Sequence, residues 1–135
     1  MAGITPLEGQ DYIADLVYEQ TLVAQALTLG LFTNTAGILT ESSVWANINE
    51  PTGTGYAEIT LTAATWTIAS GGVATYPLQV WTATADWNLP VYGYYLRTGE
   101  GTPRLLHFEY KGAGPRTMSA GNKYSVDLST DTESA

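Results

Sequence analysis

The chain has 135 residues and a net charge of -8, and 13% of its residues are charged. Its length suits one domain with its own core, spanning 1–135 with an N-terminal arm at 1–9 and a polar tail at 130–135. With no cysteine and one histidine, the chain has no disulfide or thiolate metal site, and we expect no metal and no cofactor. No apolar run is long enough to span a bilayer, and residues 1–6 lack the features of a secretory signal, so we expect a soluble, unexported protein with no membrane partner.

The charges are unevenly distributed along the chain. All five basic residues lie between Arg97 and Lys123, whereas the first 96 residues carry eight acids and no base. Without a basic patch to neutralise phosphates, nucleic acid is not an expected partner. The asymmetry has two interpretations, solubility with chance placement or complementary surfaces that meet between subunits.

The N-terminal part of the chain predicts a helix followed by a strand. Thr5 has the position of an N-cap, with Pro6 at the first helical position and Glu8 three residues after the cap. Apolar residues then recur at helical spacing, which predicts a short helix over 10–19. Leucines alternate with smaller residues in the next apolar segment, which predicts a core strand within 22–34.

Residues 35–51 are rich in Gly, Ser and Asn and predict a long loop. A loop of this length in a small domain is usually functional or held by a partner. The following stretch, GTGYAEITLTAATW at 53–66, alternates Ala57, Ile59 and Leu61 with polar residues. This period of two predicts a half-buried strand.

Four further strands are predicted at 73–82, 91–98, 104–110 and 123–129, separated by Gly and Pro turns. Pro77 requires an edge position or a bulge in the first of these. Gly93 predicts a bulge or room for a ring in the second. Because no helical pattern separates the later strands, the fold class is all-β, an antiparallel β-sandwich, jelly-roll-like, with one short N-terminal helix.

Catalytic patterns are weak. His107 and Glu109 share one face of a predicted strand, but no nucleophile accompanies them, so an exposed polar pair is the favoured interpretation. Glu50 and Glu58 could form a glycosidase pair, although the sequence gives no separation for them. The acids form no calcium loop. We therefore do not expect an enzyme.

The chain is rich in large aromatic residues, with four Trp and nine Tyr. One interpretation is a platform on which carbohydrates stack. The other, which we favour, is that these rings fill the interior and anchor subunit interfaces.

Four segments form an ordered series of structural residues: LTLGLFTN at 27–34, INEPTGTGYAEITLTAATWT at 48–67, ATYPLQVWTATADW at 74–87 and VYGYYL at 91–96. This series resembles a family of small virion proteins of tailed bacteriophages. The resemblance covers roughly residues 10–110 and concerns structural positions. The family's members look like capsid cement or decoration subunits, or tail and fibre-adaptor components.

The resemblance implies a non-enzymatic capsid decoration (cement) protein. Such a protein is made in the host cytoplasm, forms a homo-oligomer that we expect to be a trimer, and lies on the virion surface across subunits of the major capsid protein. The alternative is a tail, fibre or baseplate component with a receptor- or glycan-binding aromatic surface.

Three segments are the candidate contacts with such a partner, because they combine loop character with apolar or basic side chains. They are the arm at 2–7, the loop at 36–51 and the loop at 111–118. The candidate partner-binding residues are Ile4, Leu7, Val44, Trp45, Ile48, Lys111, Arg116 and Met118.

Overall fold

The computed structural model describes residues 3–20, 26–69, 71–99, 101–111 and 114–130. Helix α1 (Leu7–Ala14) runs directly into a π-helix (Asp15–Glu19). Short 3-10 helices follow at Trp45–Asn47 and Ala63–Thr65. The described strands are β1 (Leu27–Phe32), β2 (Ile59–Thr60), β3 (Thr67–Ile68), β4 (Ala74–Thr82), β5 (Gly93–Thr98), β6 (Leu105–Tyr110) and β7 (Lys123–Ser129).

The strands form two antiparallel sheets, so the prediction of a mainly β protein with one short helix is confirmed. The four-stranded sheet has the order β2-β1-β5-β6, and the three-stranded sheet has the order β3-β4-β7. One buried cluster contains side chains of both sheets, among them Leu31 and Tyr94 from the first, and Trp81 and Val126 from the second. The two sheets therefore share a hydrophobic core.

The four-stranded sheet is apolar on its other face as well. Tyr94 and Leu96 belong to the shared core, whereas Tyr95 between them packs in a second cluster with Phe32 and Leu105. Successive side chains of a strand point to opposite faces, so the second cluster lies on the face away from the shared core. Loop residues Leu39, Trp45 and Ile48 pack there, and residues 33–58 thus cover this face.

Helix α1 begins differently from the prediction. Its N-cap is Pro6, which has no side chain to accept a hydrogen bond, so the predicted cap at Thr5 is wrong. Glu8 accepts hydrogen bonds from the backbone N–H groups of Trp45 (2.9 Å) and Leu105 (2.7 Å). Its carboxylate therefore joins the helix to the loop and the sheet. The predicted helix over 10–19 corresponds to the last part of α1 and the π-helix, and residues 21–25 lie outside the described residues.

The stretch at 53–66 is less regular than the predicted strand. Only Ile59–Thr60 pairs as a strand, and Ala63–Thr65 forms a 3-10 turn. Gly55 has φ of +99° and a Cβ placed there would lie 2.0 Å from the carbonyl oxygen of Thr82, so this position requires glycine. The chain turns sharply here because it must pass close to β4.

The later strands follow their predictions closely. The β4–β7 register shifts between Tyr76 and Gln79, around Pro77, so the predicted bulge at this proline is confirmed. A Cβ at Gly93 would lie 2.7 Å from Cζ of Phe32, so this glycine gives room for a ring. Tyr124, Val126 and Leu128 of β7 face the core as predicted.

Gly30 of β1 lies opposite Tyr95 of β5, and a Cβ placed there would lie 2.2 Å from the Tyr95 hydroxyl oxygen. We expect Gly30→Ala to lower the free energy of unfolding by about 2 kcal/mol or more, because the ring must move from its place against the sheet. Urea unfolding measures the effect. Gly101→Ala is the control, since nothing lies within 4 Å of its Cβ position. Equal stability of the two variants would contradict the tight Gly30–Tyr95 contact.

Candidate functional site

The covering loop is fixed to the four-stranded sheet by a network centred on the Tyr95 hydroxyl. This hydroxyl lies 2.7 Å from Oε1 of Glu50 and 2.5 Å from Oε2 of Glu58. The Tyr56 hydroxyl donates to the same Glu50 oxygen at 2.5 Å and accepts from the N–H of Leu31 at 3.2 Å. The network thus joins two loop carboxylates to strands β1 and β5.

Arg97 neutralises one of these carboxylates. Its Nε and Nη2 each lie 2.7 Å from an oxygen of Glu58, a two-point contact that is stronger than a single ion pair. Burial alone would raise the pKa of Glu58, but the hydrogen bonds from Arg97 and Tyr95 and the charge of Arg97 hold it below its usual value. Burial, followed by the nearby acidic groups, raises the pKa of Tyr95, so its hydroxyl stays protonated.

The sequence left open a glycosidase role for Glu50 and Glu58, and the structure does bring them to one hydroxyl. Both oxygens of Glu58 are held by Arg97, Glu50 accepts from Tyr56, and the Tyr95 hydroxyl lies within hydrogen-bond distance of both carboxylates and donates to one of them at a time. A general acid or nucleophile must instead reach its substrate. These contacts explain how the loop is anchored, and they do not require a reaction at Glu50 and Glu58.

Trp45 and Ile48, two of the predicted contact residues, also hold the loop. The Trp45 ring lies 5.1 Å from the Tyr95 ring, and the guanidinium carbon of Arg97 lies 5.0 Å from the Trp45 ring centre. Ile48 packs on the cluster that contains Tyr95. Because both are partly buried, they position the loop and present only part of their surface to a partner.

The N-terminal arm is held beside this loop. Ile4 pairs with Phe108 of β6 through two backbone hydrogen bonds of 2.8 and 3.0 Å. The N–H of Leu7 donates to the carbonyl of Glu41 at 2.8 Å. The structure therefore brings together two of the three predicted segments, which the sequence separates by about thirty residues.

Three apolar side chains of the arm and loop stay exposed, with exposed fractions of 47% for Leu7, 62% for Ile38 and 39% for Val44. We call these three residues the arm–loop surface. Leu7 and Val44 line one cavity of about 740 Å³ together with the acids Asp11 and Asp15. The surface around Leu7 and Val44 therefore combines exposed apolar groups with nearby acidic side chains.

The third predicted segment, at 111–118, contains three candidate contact residues, of which two are at least partly exposed and one is buried. Lys111 lines a cavity of about 310 Å³ with Ala36 and Gly37, and exposed Arg116 pairs with Val91 through backbone hydrogen bonds. Met118 is only 1% exposed and belongs to the shared core. We therefore remove Met118 from the candidate contacts. An apolar loop residue can be buried in the core as readily as it can be exposed at the surface.

Two apolar cavities of about 310 and 480 Å³ lie beside the helix and share Ile13, Leu27, Trp66 and Leu106. His107 lines the smaller cavity and is 2% exposed. Neither ring nitrogen has a hydrogen-bond partner among the described residues, and burial lowers the pKa of His107 to about 4. The predicted exposed pair of His107 and Glu109 is therefore wrong, because the backbone at Gly3 lies against the His107 ring.

Comparison with models of known protein families, with curated proteins and with solved structures found no match. Among the described residues, no group of three or more Asp, Glu or His side chains is placed to hold a metal ion. No helix in the described part of the chain is long and apolar enough to cross a membrane.

Tyr95→Phe tests the anchoring network. Loss of the hydroxyl removes one donor from between two half-buried carboxylates, which keep only Arg97 and Tyr56 as donors. We expect the free energy of unfolding to fall by about 1–3 kcal/mol. Protease cleavage within residues 35–51 should become faster at the same time. Tyr18→Phe is the control, because this ring is 83% exposed. If Tyr95→Phe behaves like Tyr18→Phe in both assays, the network does not anchor the loop.

His107→Leu tests the buried imidazole. The folded protein resists protonation until about pH 4, whereas an unfolded imidazole takes up a proton near pH 6.5, so stability should be lost as pH falls through this window. We expect the variant to match or exceed the parent's stability at pH 7, because an unpartnered polar group is removed. Between pH 7 and pH 5 the parent should lose about 2 kcal/mol of unfolding free energy that the variant keeps. An unchanged pH slope in urea unfolding would contradict a neutral, buried imidazole.

Proposed function

We propose that this chain is a non-enzymatic structural protein of a tailed-bacteriophage virion, a capsid decoration protein that binds across subunits of the major capsid protein. The series of structural residues between 27 and 96 supports this assignment through its resemblance to small phage virion proteins. We further infer that the two sheets pack as a jelly-roll-like sandwich, with the loop at 33–58 as an outer cover.

The observation that carries the proposal is a long loop that is rigidly held while its apolar tips remain exposed. Glu50, Glu58 and Trp45 are fixed to the sheet, whereas Ile38 and Val44 stand out from it. A surface that is already ordered loses little conformational entropy on binding. Such a surface suits permanent attachment, and many copies on one particle add avidity.

The charge around the arm–loop surface indicates the chemistry of its partner. Asp11, Asp15 and Glu19 line the cavity beside Leu7, where Arg104 lies 3.3 Å from Asp15 as a single basic partner. A complementary surface would present aliphatic side chains surrounded by Lys or Arg. We expect such a surface where neighbouring capsid subunits meet.

The alternative, a tail, fibre or baseplate module that stacks on glycans, has less support. All four Trp lie among the described residues, and none is exposed: Trp81 and Trp87 are buried, and Trp45 and Trp66 are partly buried. Among the described aromatic side chains, Tyr18 is strongly exposed. A glycan platform usually needs more than one such ring on the surface.

The double variant Leu7→Ser/Ile38→Ser tests the capsid assignment. Its matched control is Leu89→Ser/Ile68→Ser, which removes the same side chains at exposed fractions of 50% and 67% outside the arm–loop surface. We expect the first variant to bind at least about ten-fold more weakly to capsids purified without this protein, because about two buried aliphatic contacts are lost. The control should bind like the parent.

Quantitative gel analysis of sedimented capsids measures the occupancy, and circular dichroism confirms that both variants are folded. Equal occupancy for the two variants would remove the arm–loop surface from the proposal. Binding of the parent to isolated tails and not to heads would overturn capsid decoration and favour the tail component.

A further inference from the structure

Strand β7 is an open edge of the three-stranded sheet. It pairs with β4 and ends the strand order. Among the described residues, no hydrogen bond joins residues 123–128 to anything outside β4. The strand has seven residues and contains neither Pro nor Gly. Such an edge offers backbone groups to a further antiparallel strand.

The side chains of β7 are self-complementary about Ser125. Lys123, Ser125 and Asp127 are exposed on the outer face, and neither charged residue makes an ion pair with a described residue. Four residues along a strand span about 13 Å, so Lys123 and Asp127 of one copy cannot pair with each other. If two copies of β7 pair antiparallel with Ser125 opposite Ser125, each Lys123 lies opposite an Asp127.

The outer face selects the register. Tyr124 and Val126 on the inner face have exposed fractions of 5% and 0% and are already covered within their own copy. Directly opposite side chains have Cβ atoms about 4.5–5.5 Å apart, which is close enough for an ion pair between Lys123 and Asp127. A slip by two residues would place Lys123 opposite a serine, so only the Ser125-centred register pairs both charges.

We propose that β7 is a two-fold interface with a second copy of this chain. The two three-stranded sheets then form one six-stranded sheet with the order β3-β4-β7-β7-β4-β3. A two-fold axis through Ser125 closes the pairing at two copies, because the edge strand β7 of each sheet is used up. This differs from the trimer expected from the family resemblance. The interface does not rest on capsid binding, since no residue of the arm–loop surface takes part.

Two features of the molecule oppose self-association, and neither prevents it. The chain carries a net charge of -8, but at physiological salt charges farther apart than about 8 Å are largely screened. An edge lysine can protect a strand from pairing. Here the Ser125-centred register places Asp127 of the second copy opposite Lys123, and the lysine becomes part of an ion pair.

Cysteine at the two-fold axis gives the first test. The chain has no cysteine of its own, so Ser125→Cys introduces a single thiol that faces its copy across the axis. Under mild oxidation we expect a disulfide-linked dimer to form at least about ten-fold faster than for Ser42→Cys, a control at another exposed serine. Equal rates for the two variants would overturn the proposal.

Charge exchange gives the second test, by sedimentation equilibrium at physiological salt. Lys123→Asp and Asp127→Lys should each weaken dimerisation about ten-fold, because each places two like charges opposite one another. The double variant should return to within about three-fold of the parent, since the ion pairs re-form with exchanged polarity. A general charge effect would instead move the two single variants in opposite directions.

The double variant has the net charge of the parent and therefore serves as the matched control. A double variant no tighter than either single variant would overturn the proposal. A parent protein that is a monomer at millimolar concentration would also overturn it. So would trimers whose stability is unchanged by either substitution.

Discussion

The hydroxyl of Tyr95 lies between the carboxylates of Glu50 and Glu58, on the face of the sheet that points away from the shared core. This contact requires space on β1, which Gly30 provides directly opposite. It also requires a positive charge, which Arg97 provides two residues further along β5. Without these neighbours, burying two carboxylates together would cost more free energy than the other contacts of the loop provide. The position of the covering loop therefore depends on one glycine, one tyrosine and one arginine.

The consequence for binding is that the loop behaves as part of the folded body. Residues 33–58 carry few strand or helix hydrogen bonds of their own, yet Thr33 and Asn34 donate to the carbonyls of Asn49 and Asn47, and Tyr110 of β6 donates to the carbonyl of Thr35. A loop of such length normally loses much conformational freedom when it binds. Here that loss has occurred on folding, so the exposed Ile38 and Val44 can contact a partner at little further cost.

Regular patterns in the sequence predicted the strands well, whereas contacts between distant residues escaped prediction. β7 alternates buried and exposed residues as a simple edge strand should, and the proline bulge of β4 follows from the missing N–H. The contacts of Glu58 could not be predicted, because a polar residue in an alternating stretch is typical of a solvent-facing position and its partner Arg97 lies 39 residues away. The same holds for Glu8 and His107, since each contacts a segment that is remote in sequence.

The candidate contact residues show the same limit. Loop position identified Leu7 and Val44 as exposed, but it could not separate them from Met118, which is equally apolar and lies in the core. The residues that fix the loop, Tyr95 and Arg97, lie in a predicted strand, but the sequence did not predict their function, because it arises from the carboxylates that the fold brings to them. Alternation predicts the face of the strand on which a side chain lies, but the tertiary structure determines which residues it contacts there.

The separation of the two proposed surfaces follows from the topology. The loop covers the four-stranded sheet on the face away from the shared core, whereas β7 belongs to the other sheet and contributes to that core from the opposite side. A copy bound through β7 therefore leaves both arm–loop surfaces uncovered. Two such surfaces joined by a continuous sheet have a fixed separation. Once one surface has bound a regular lattice, binding of the second is intramolecular. It strengthens attachment only if the spacing of the lattice sites equals the separation of the two surfaces. A rigid two-fold unit would thus bind an ordered array of subunits in preference to single ones.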